Sequence, residues 1–557
     1  MSSEPAFLRV PREIRDIIYR EYVTLEHGYV YNPATNRLKA GGPICQPNLM
    51  ALQSCCQQVA TEMKGLALKH NIVRFYTVCS ARTKYRANAL FTLMKNMYST
   101  EAELLAQARG RISPQALERM TSEFPQLSHL IETFNDIPTD EHHELRWHTV
   151  ALPWDIVRYN DANEYGEAHS VYRHFITSAL QSIIDTSSPA TLDQKWLSRA
   201  NKVLAMCHEP WFIPDDDEDI ASRWQHLYRD FKPPRDTGYN YRFSAAAACI
   251  RFLGSVPGAR TYMRQVLLEE DRPSVPFAEC HGLGLLPFMR ENPELHVTRR
   301  ANLWRNIFQG YGNHEPDVTW VHNLGEAVAG RAKLSEHDVT PPIARWVVEH
   351  LDLPKVSFTL ILDGDPVPQL SAQVFDGAVS RGLQWSRARS EAIRRGLVPD
   401  DEYKDNDYRF EMRREYRRFP QAIADVITGK TSSIRCNFHP GYLRDPEEII
   451  EKMRGLLPTD PFLEVEDYDD TWQSTWNLAR LGEFDCDEDG FPTWERYSTV
   501  APLPTLSELI LENGNKPDTL FDQQNRWRNG WDDQDWTIPF YHGEIEPFDN
   551  SLDDWVE

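Results

Sequence analysis

Residues 10–22 constrain this 557-residue chain more tightly than any other stretch. Pro11 stands where a helix tolerates a missing N–H. Val10, Ile14, Ile17, Ile18 and Tyr22 then recur at helical spacing and make one apolar stripe, while Arg12, Arg15, Asp16 and Arg20 fall off it. The pattern predicts a helix docked through that stripe, because burying each such side chain is worth roughly 1.5–3 kcal/mol. Residues 28–42 alternate apolar and polar around Asn-Pro-Ala-Thr-Asn, the mark of a hairpin. Leu49, Leu52, Cys56, Val59, Met63 and Leu66 repeat at three and four and predict a second helix. Residues 71–78 read as a short strand.

These pieces carry a family pattern. Val10-Pro11-Arg12-Glu13-Ile14-Arg15 leads to Ile18-Tyr19, followed by Ala51-Leu52-Gln53-Ser54-Cys55-Cys56-Gln57-Gln58 and by Asn71-Ile72-Val73-Arg74-Phe75. In this order and spacing they resemble the F-box-like N-terminal module of filamentous fungal proteins, whose first motif is Leu-Pro-x-Glu-Leu/Ile-Arg-x-x-Ile-Tyr. The departures are Val10 for Leu, Gln53 for Leu, Gln57 for Arg, and Ile72-Val73 for Thr-Phe. The fungal EXR-motif family shares much of the same pattern. The resemblance implies a small helical module whose first helix packs on the Skp-family adaptor of a cullin–RING ubiquitin ligase. It further implies that Val10, Pro11, Ile14, Ile17 and Ile18 are the adaptor-binding residues. Read as residues alone, the same positions are the core of a small helical domain docked on its own body.

Beyond the module, residues 85–135 and 168–207 read as helices. From residue 242 onward, helical stretches such as SAAAACIRFLGSV alternate with strand-like ones, LHVTRRANLW and VSFTLILDGDP. Helix returns over 371–418. The expected fold is therefore α+β and predominantly helical: an F-box-like module over 1–80, a helical region over 81–235, and a mixed α/β body over 236–462 with irregular leucine-rich-like βα units of no clean period. Residues 463–557 form an acidic, Trp-rich end, expected to dock on the body. Its part from 464 onward holds 24 acidic against 5 basic residues, a balance of −19 out of the chain's −23. A chain so acidic is repelled by phosphate backbones and anionic lipid, so neither nucleic acid nor membrane is an expected partner.

The nine cysteines are irregularly spaced with no CxxC pair, which suits a reducing compartment. The start MSSEPAFLRV has no basic-then-apolar leader and no run approaches membrane-spanning length, so cytoplasm or nucleus is expected. Several motifs fail on inspection. Gly429-Lys430-Thr431 lacks the earlier glycine of a phosphate loop, Ala424 standing there. The run 485–490 begins like a calcium loop, yet Arg496 occupies the position of its bidentate Glu. In Glu141-His142-His143-Glu144 the adjacent histidines do not share a helix face, and Asp215–Asp219 reads as a solvated loop. Cys280-His281 is an isolated pair on an apolar background. Arg413-Arg414-Glu415-Tyr416-Arg417-Arg418 is a basic run better paired with local acids than with phosphates. No catalytic, metal or cofactor signature is found. The expectation is a non-enzymatic substrate receptor of F-box type that binds a Skp-family adaptor and a target protein. The alternative is an interaction or scaffold protein that keeps the module without the adaptor.

Overall fold

Short β-branched and aromatic runs make one large sheet from strands spread along the chain. The computed structural model describes residues 5–42, 51–108, 112–133, 166–186, 193–206, 209–216, 222, 239–309, 334, 339–397, 416–454, 485–486, 492–493 and 503–513. Residues 1–514 form one unit, and a second, 515–557, lies outside the described residues. The strands are β1 (Tyr29–Asn32), β2 (Arg37–Ala40), β3 (Ile72–Tyr76), β4 (Gln265–Glu270), β5 (His296–Asn302), β6 (Phe358–Asp363) and β7 (Ile434–Cys436). They form one seven-stranded sheet in the order β2-β1-β3-β4-β5-β6-β7. β1 and β2 are the antiparallel hairpin that residues 28–42 predict, and every other pairing is parallel. From β3 on, each strand lies beside the next one in sequence. The chain thus steps across the sheet in one direction, as stacked βα units do.

Alternation along the strands gives the sheet one buried face. Val73 and Phe75 of β3, Val266 and Leu268 of β4, Val297, Arg299 and Ala301 of β5, and Phe358, Leu360 and Leu362 of β6 are buried. Their neighbours Arg74, Leu267, Thr298 and Thr359, paired in register across four strands, are only half-buried. Helices cover the buried face. In α9 (Ala245–Ser255), Phe252 meets Phe75 and Tyr31 with ring centroids 5.8 and 5.6 Å apart. From α12 (Thr340–His350), Trp346 lies over the Arg299 guanidinium at 4.3 Å.

The other elements fill in around this frame. The N-terminal helices are α1 (Arg12–Val23), α2 (Gln57–Glu62) and α3 (Leu66–His70). Gly65 separates α2 from α3, so the second predicted helix is broken. Gly65 has φ +74°, and a Cβ there would lie 2.2 Å from the Tyr262 ring. Between β3 and β4 come α4 (Ala81–Gln107), α5 (Pro114–Glu123), α6 (Ser128–Thr133), α7 (His169–Thr186) and α8 (Gln194–Ala205), the helical region that the sequence predicts. Trp196 of α8 donates to the Leu104 carbonyl of α4 at 3.0 Å. Within the expected helical region over 81–235, residues 217–221 and 223–235 lie outside the described residues. After α9 and the short α10 (Pro257–Arg260), a 3₁₀ segment, Ala278–Leu285, leads into α11 (Leu286–Glu291). Beyond β6 follow α13 (Pro368–Val374), α14 (Arg381–Arg394), α15 (Phe419–Ile427), α16 (Pro446–Arg454) and α17 (Leu506–Leu511). The fold is α+β and predominantly helical. The β3–β4 pairing makes residues 1–80 part of the body's own sheet.

One buried ion pair ties the layers together. Glu270, at the carboxyl end of β4, is fully buried and accepts from Arg299 Nε at 3.0 Å and Nη2 at 2.8 Å. The same carboxylate receives the Ala245 and Ala246 amides at the start of α9, at 3.0 and 3.2 Å, where the helix dipole favours a negative charge. Arg299 also donates to the carbonyls of Ala278 and Glu279 at 2.6 and 2.9 Å. Removing one member strands the other charge in the core. Arg299→Ala is expected to lower unfolding free energy by about 3–5 kcal/mol, the range for broken buried pairs. Urea denaturation followed by circular dichroism measures it, and a loss below about 1 kcal/mol would show that the pair is not a structural tie.

Candidate functional site

The first helix docks on the opposite face from the one that its apolar spacing suggests. In α1 the buried residues are Arg15, Tyr19 and Val23, one turn apart. The predicted stripe of Val10, Ile14, Ile17, Ile18 and Tyr22 is not the docked face. Ile14, Ile17 and Ile18 are 47%, 48% and 39% exposed. Pro11, the helix N-cap residue, is exposed, while Val10 and Tyr22 are half-buried.

Arg15 explains the reversal. Its guanidinium donates to Glu62 of α2 through Nε at 2.9 Å and Nη2 at 2.5 Å, and to the carbonyls of Leu8 and Val10 at 3.1 and 2.5 Å. Four acceptors satisfy an arginine that is only 6% exposed. Tyr19 adds its hydroxyl to Glu62 at 2.7 Å, and its ring meets Phe7 edge-on at 5.8 Å. Tyr19, Val23, Val59 and Met63 form the small core beneath, with Phe7, Leu8, Tyr22, Leu52, Leu66 and Ala67 packed against it. Asn71 then closes the module. Its side chain donates to the carbonyls of Val23 and Ala67 at 2.7 and 2.8 Å and accepts from the Leu25 amide at 2.7 Å. The ends of α1 and α3 are thereby held at the start of β3.

Three adjacent isoleucines on one helix face make an apolar patch that nothing in their own helix explains. Of the five residues expected to bind an adaptor, the structure brings Ile14, Ile17 and Ile18 together on the exposed face. Pro11 lies exposed at its start and Val10 half-buried behind it. What sequence reasoning missed is that Arg15 faces inward. Its partner Glu62 is far along the chain, on a different helix, so no local pattern marks the position.

Away from this face, the pairs singled out by sequence are structural. His281 is fully buried. Its Nε2–H donates to the Pro276 carbonyl at 2.6 Å, so Nδ1 is the acceptor and takes the Ser244 hydroxyl at 2.6 Å. Ser244 Oγ in turn accepts the Ala247 amide at 2.9 Å and caps α9. Burial lowers the His281 pKa to about 3, so the ring stays neutral. Burial raises the Cys280 thiol well above its ordinary range, and Arg173 donates to its sulfur at 3.1 Å. Neither side chain is placed for chemistry on a ligand from solvent. The Arg173 guanidinium lies against the rings of both Tyr98 and Phe277. Near it, Glu349 accepts from the Ser170 amide and hydroxyl at 2.9 and 2.5 Å. Glu101 accepts from Thr177 at 3.2 Å, and burial carries its pKa up to about 8.

Gly429 sits in the turn after α15 with φ +66°, not in a phosphate cradle. Asp485–Cys486 pairs with Pro492–Thr493 in a two-stranded ladder, and the rest of that acidic run lies outside the described residues. The His pair at 142–143 and the basic run through residue 415 also lie outside them. Arg418, the end of that run, pairs with Asp352 at 2.7 Å. Among the described residues no cluster of His, Cys, Asp and Glu is arranged to hold a metal ion, and no helix is long and apolar enough to cross a membrane. The chain matches no family model, no curated protein and no solved structure.

Two pH dependences follow. Hydrogen bonds from Arg15 above all hold Glu62 down to about 2 from an ordinary 4.5. A depressed carboxyl stabilises the fold above its unfolded pKa and loses that contribution as pH falls through the folded one. The protection of the α1 amides against exchange, taken relative to their intrinsic rates, should therefore fall between pH 4.5 and 2, more than in the central strands, and Glu62→Gln should remove that dependence. Glu101 has the opposite sign. Its contribution is full below pH 4.5 and fades as pH rises through about 8. Thermal melts of Glu101→Gln should vary less than wild type between those limits.

Proposed function

We propose that this chain is a substrate-recognition protein of F-box type, which links a target protein to a cullin–RING ubiquitin ligase through a Skp-family adaptor. The observation that carries the reading is the inverted first helix. Arg15, Tyr19 and Val23 fasten it to the body, and Ile14, Ile17 and Ile18 are left outward at the positions where the F-box-like pattern has its adaptor contacts. Burying three isoleucines against a partner would contribute several kcal/mol, at roughly 1.5–3 kcal/mol each for full burial. The reading makes the chain non-enzymatic and places it in the cytoplasm or nucleus, where such ligases assemble.

One observation favours the alternative, an interaction protein with a degenerate module and no adaptor. The β1–β2 hairpin between α1 and α2 joins the body's sheet through β3. The module is thus built into the body instead of standing free.

Co-purification with a fungal Skp-family adaptor separates the two. Wild type should form a stable complex on size exclusion, and Ile14→Asp with Ile18→Asp should abolish it. Because both side chains are exposed, each substitution should change stability by no more than about 0.5 kcal/mol. A wild-type chain that stays alone in the presence of the adaptor would leave the scaffold reading.

A further inference from the structure

Three arginines converge beyond the carboxyl ends of neighbouring strands. Arg272 follows β4 by two residues and Arg305 follows β5 by three. Arg242 precedes Phe243, which pairs with Val78 just past β3. Ligands of parallel sheets gather at this end of the strands. Here the place is filled by the chain itself. The short helix α17 buries Leu509 and Ile510, and the residues after it face the arginines. Arg272 and Arg305 reach the Glu512 carboxylate at 3.1 and 3.2 Å. Arg242, itself 6% exposed, donates to Asn513 Oδ1 at 2.8 Å and to the Glu512 carbonyl at 3.3 Å. Asn240 donates its amide to the Asn513 carbonyl at 2.7 Å.

The fit is loose where the charge is greatest. Guanidinium–carboxylate bonds ordinarily run about 2.7–2.9 Å, and both arginines stand further than that from Glu512. Two guanidinium groups share the Glu512 carboxylate, with Asp271 beside Arg272 at 3.8 Å, and the third, Arg242, meets only neutral acceptors in the seated segment, the Glu512 carbonyl and Asn513 Oδ1. Burial, together with the neighbouring charges of Arg305 and Arg242, holds Arg272 below its ordinary range, an effect that Glu512 offsets in part. A group with two charges and three acceptor oxygens suits such a cage better than a carboxylate does. We propose that Arg242, Arg272 and Arg305 form a receptor for a phosphorylated side chain on a short amphipathic helix, and that residues 503–513 occupy it in cis through Glu512. α17 has six residues and a capping box at Thr505 and Glu508. A helix that short is marginal in isolation, so its seat supplies its order and a better ligand can displace it. On the receptor reading above, the helix would belong to the target protein; the anion site itself does not depend on that reading.

Calorimetric titration of the full chain tests the proposal. The probes are inorganic phosphate and two peptides copying residues 505–513, one with Glu and one with phosphoserine at the position of Glu512. Glu512→Gln should bind the phosphoserine peptide at least tenfold more tightly than the glutamate peptide, and at least tenfold more tightly than wild type does. Adding Arg305→Ala or, as a gentler change, Arg305→Lys should lose about tenfold, with the melting curve confirming the fold. Inorganic phosphate binding as tightly as the phosphopeptide would retain the dianion cage but overturn the helical ligand. Equal affinity for the two peptides, or no binding of any probe, would overturn the proposal outright. Adaptor binding is read at Ile14 and Ile18, so either result stands whether or not a ligase assembles.

Discussion

The Glu270–Arg299 pair is the constraint on which the rest of the architecture depends. A sheet whose strands follow one another in chain order buries one face and needs its covering segments aimed at it. Glu270 aims two of them at once. Its carboxylate receives the first amides of α9, and its partner Arg299 holds the carbonyls that open the 3₁₀ segment at Ala278. Trp346 of α12 stacks on the same guanidinium. A buried pair of this kind adds little net stability over an apolar substitute. What it specifies is direction: backbone donors and acceptors that would otherwise be stranded in the core have one arrangement that satisfies them.

Elements governed by local patterning were legible in the sequence. The hairpin over 28–42, the strands at 71–78, 296–302 and 358–363 and the helices of 81–205 follow from alternation, helical period and turn residues. β7 escapes such reading because Ile434–Cys436 is only three residues long, and its place depends on pairing with β6. The second helix was overextended because Gly65 carries no apolar signal, and its close approach to Tyr262 is a long-range contact. The spacing puts Arg15 on the wet side, where an arginine among isoleucines ordinarily belongs. Only Glu62, on a different helix, reverses that inference. The Arg242–Arg272–Arg305 cage was invisible for the same reason, its members being brought together by strand order alone.

The inverted helix and the arginine cage also meet in one continuous structure. Arg15 and Tyr19 fix α1 to α2 through Glu62, and Asn71, the residue before β3, holds the ends of α1 and α3. β3 pairs in parallel with β4 and β4 with β5, and the carboxyl ends of those strands carry the cage. Paired strands and the loops that follow them thus join the helix that carries the isoleucines to the arginines. A hinged connection would let a partner on α1 wander relative to a ligand at the strand ends, whereas a shared sheet holds the two at one distance and orientation. On the proposed reading that rigidity has a direct use, because the effective concentration of a second partner falls once a linker becomes long and loose. The hairpin inserted within the module extends the same sheet, β1 pairing with β3, and it meets the body through Tyr31 against Phe252 and Asn36 on Ser255.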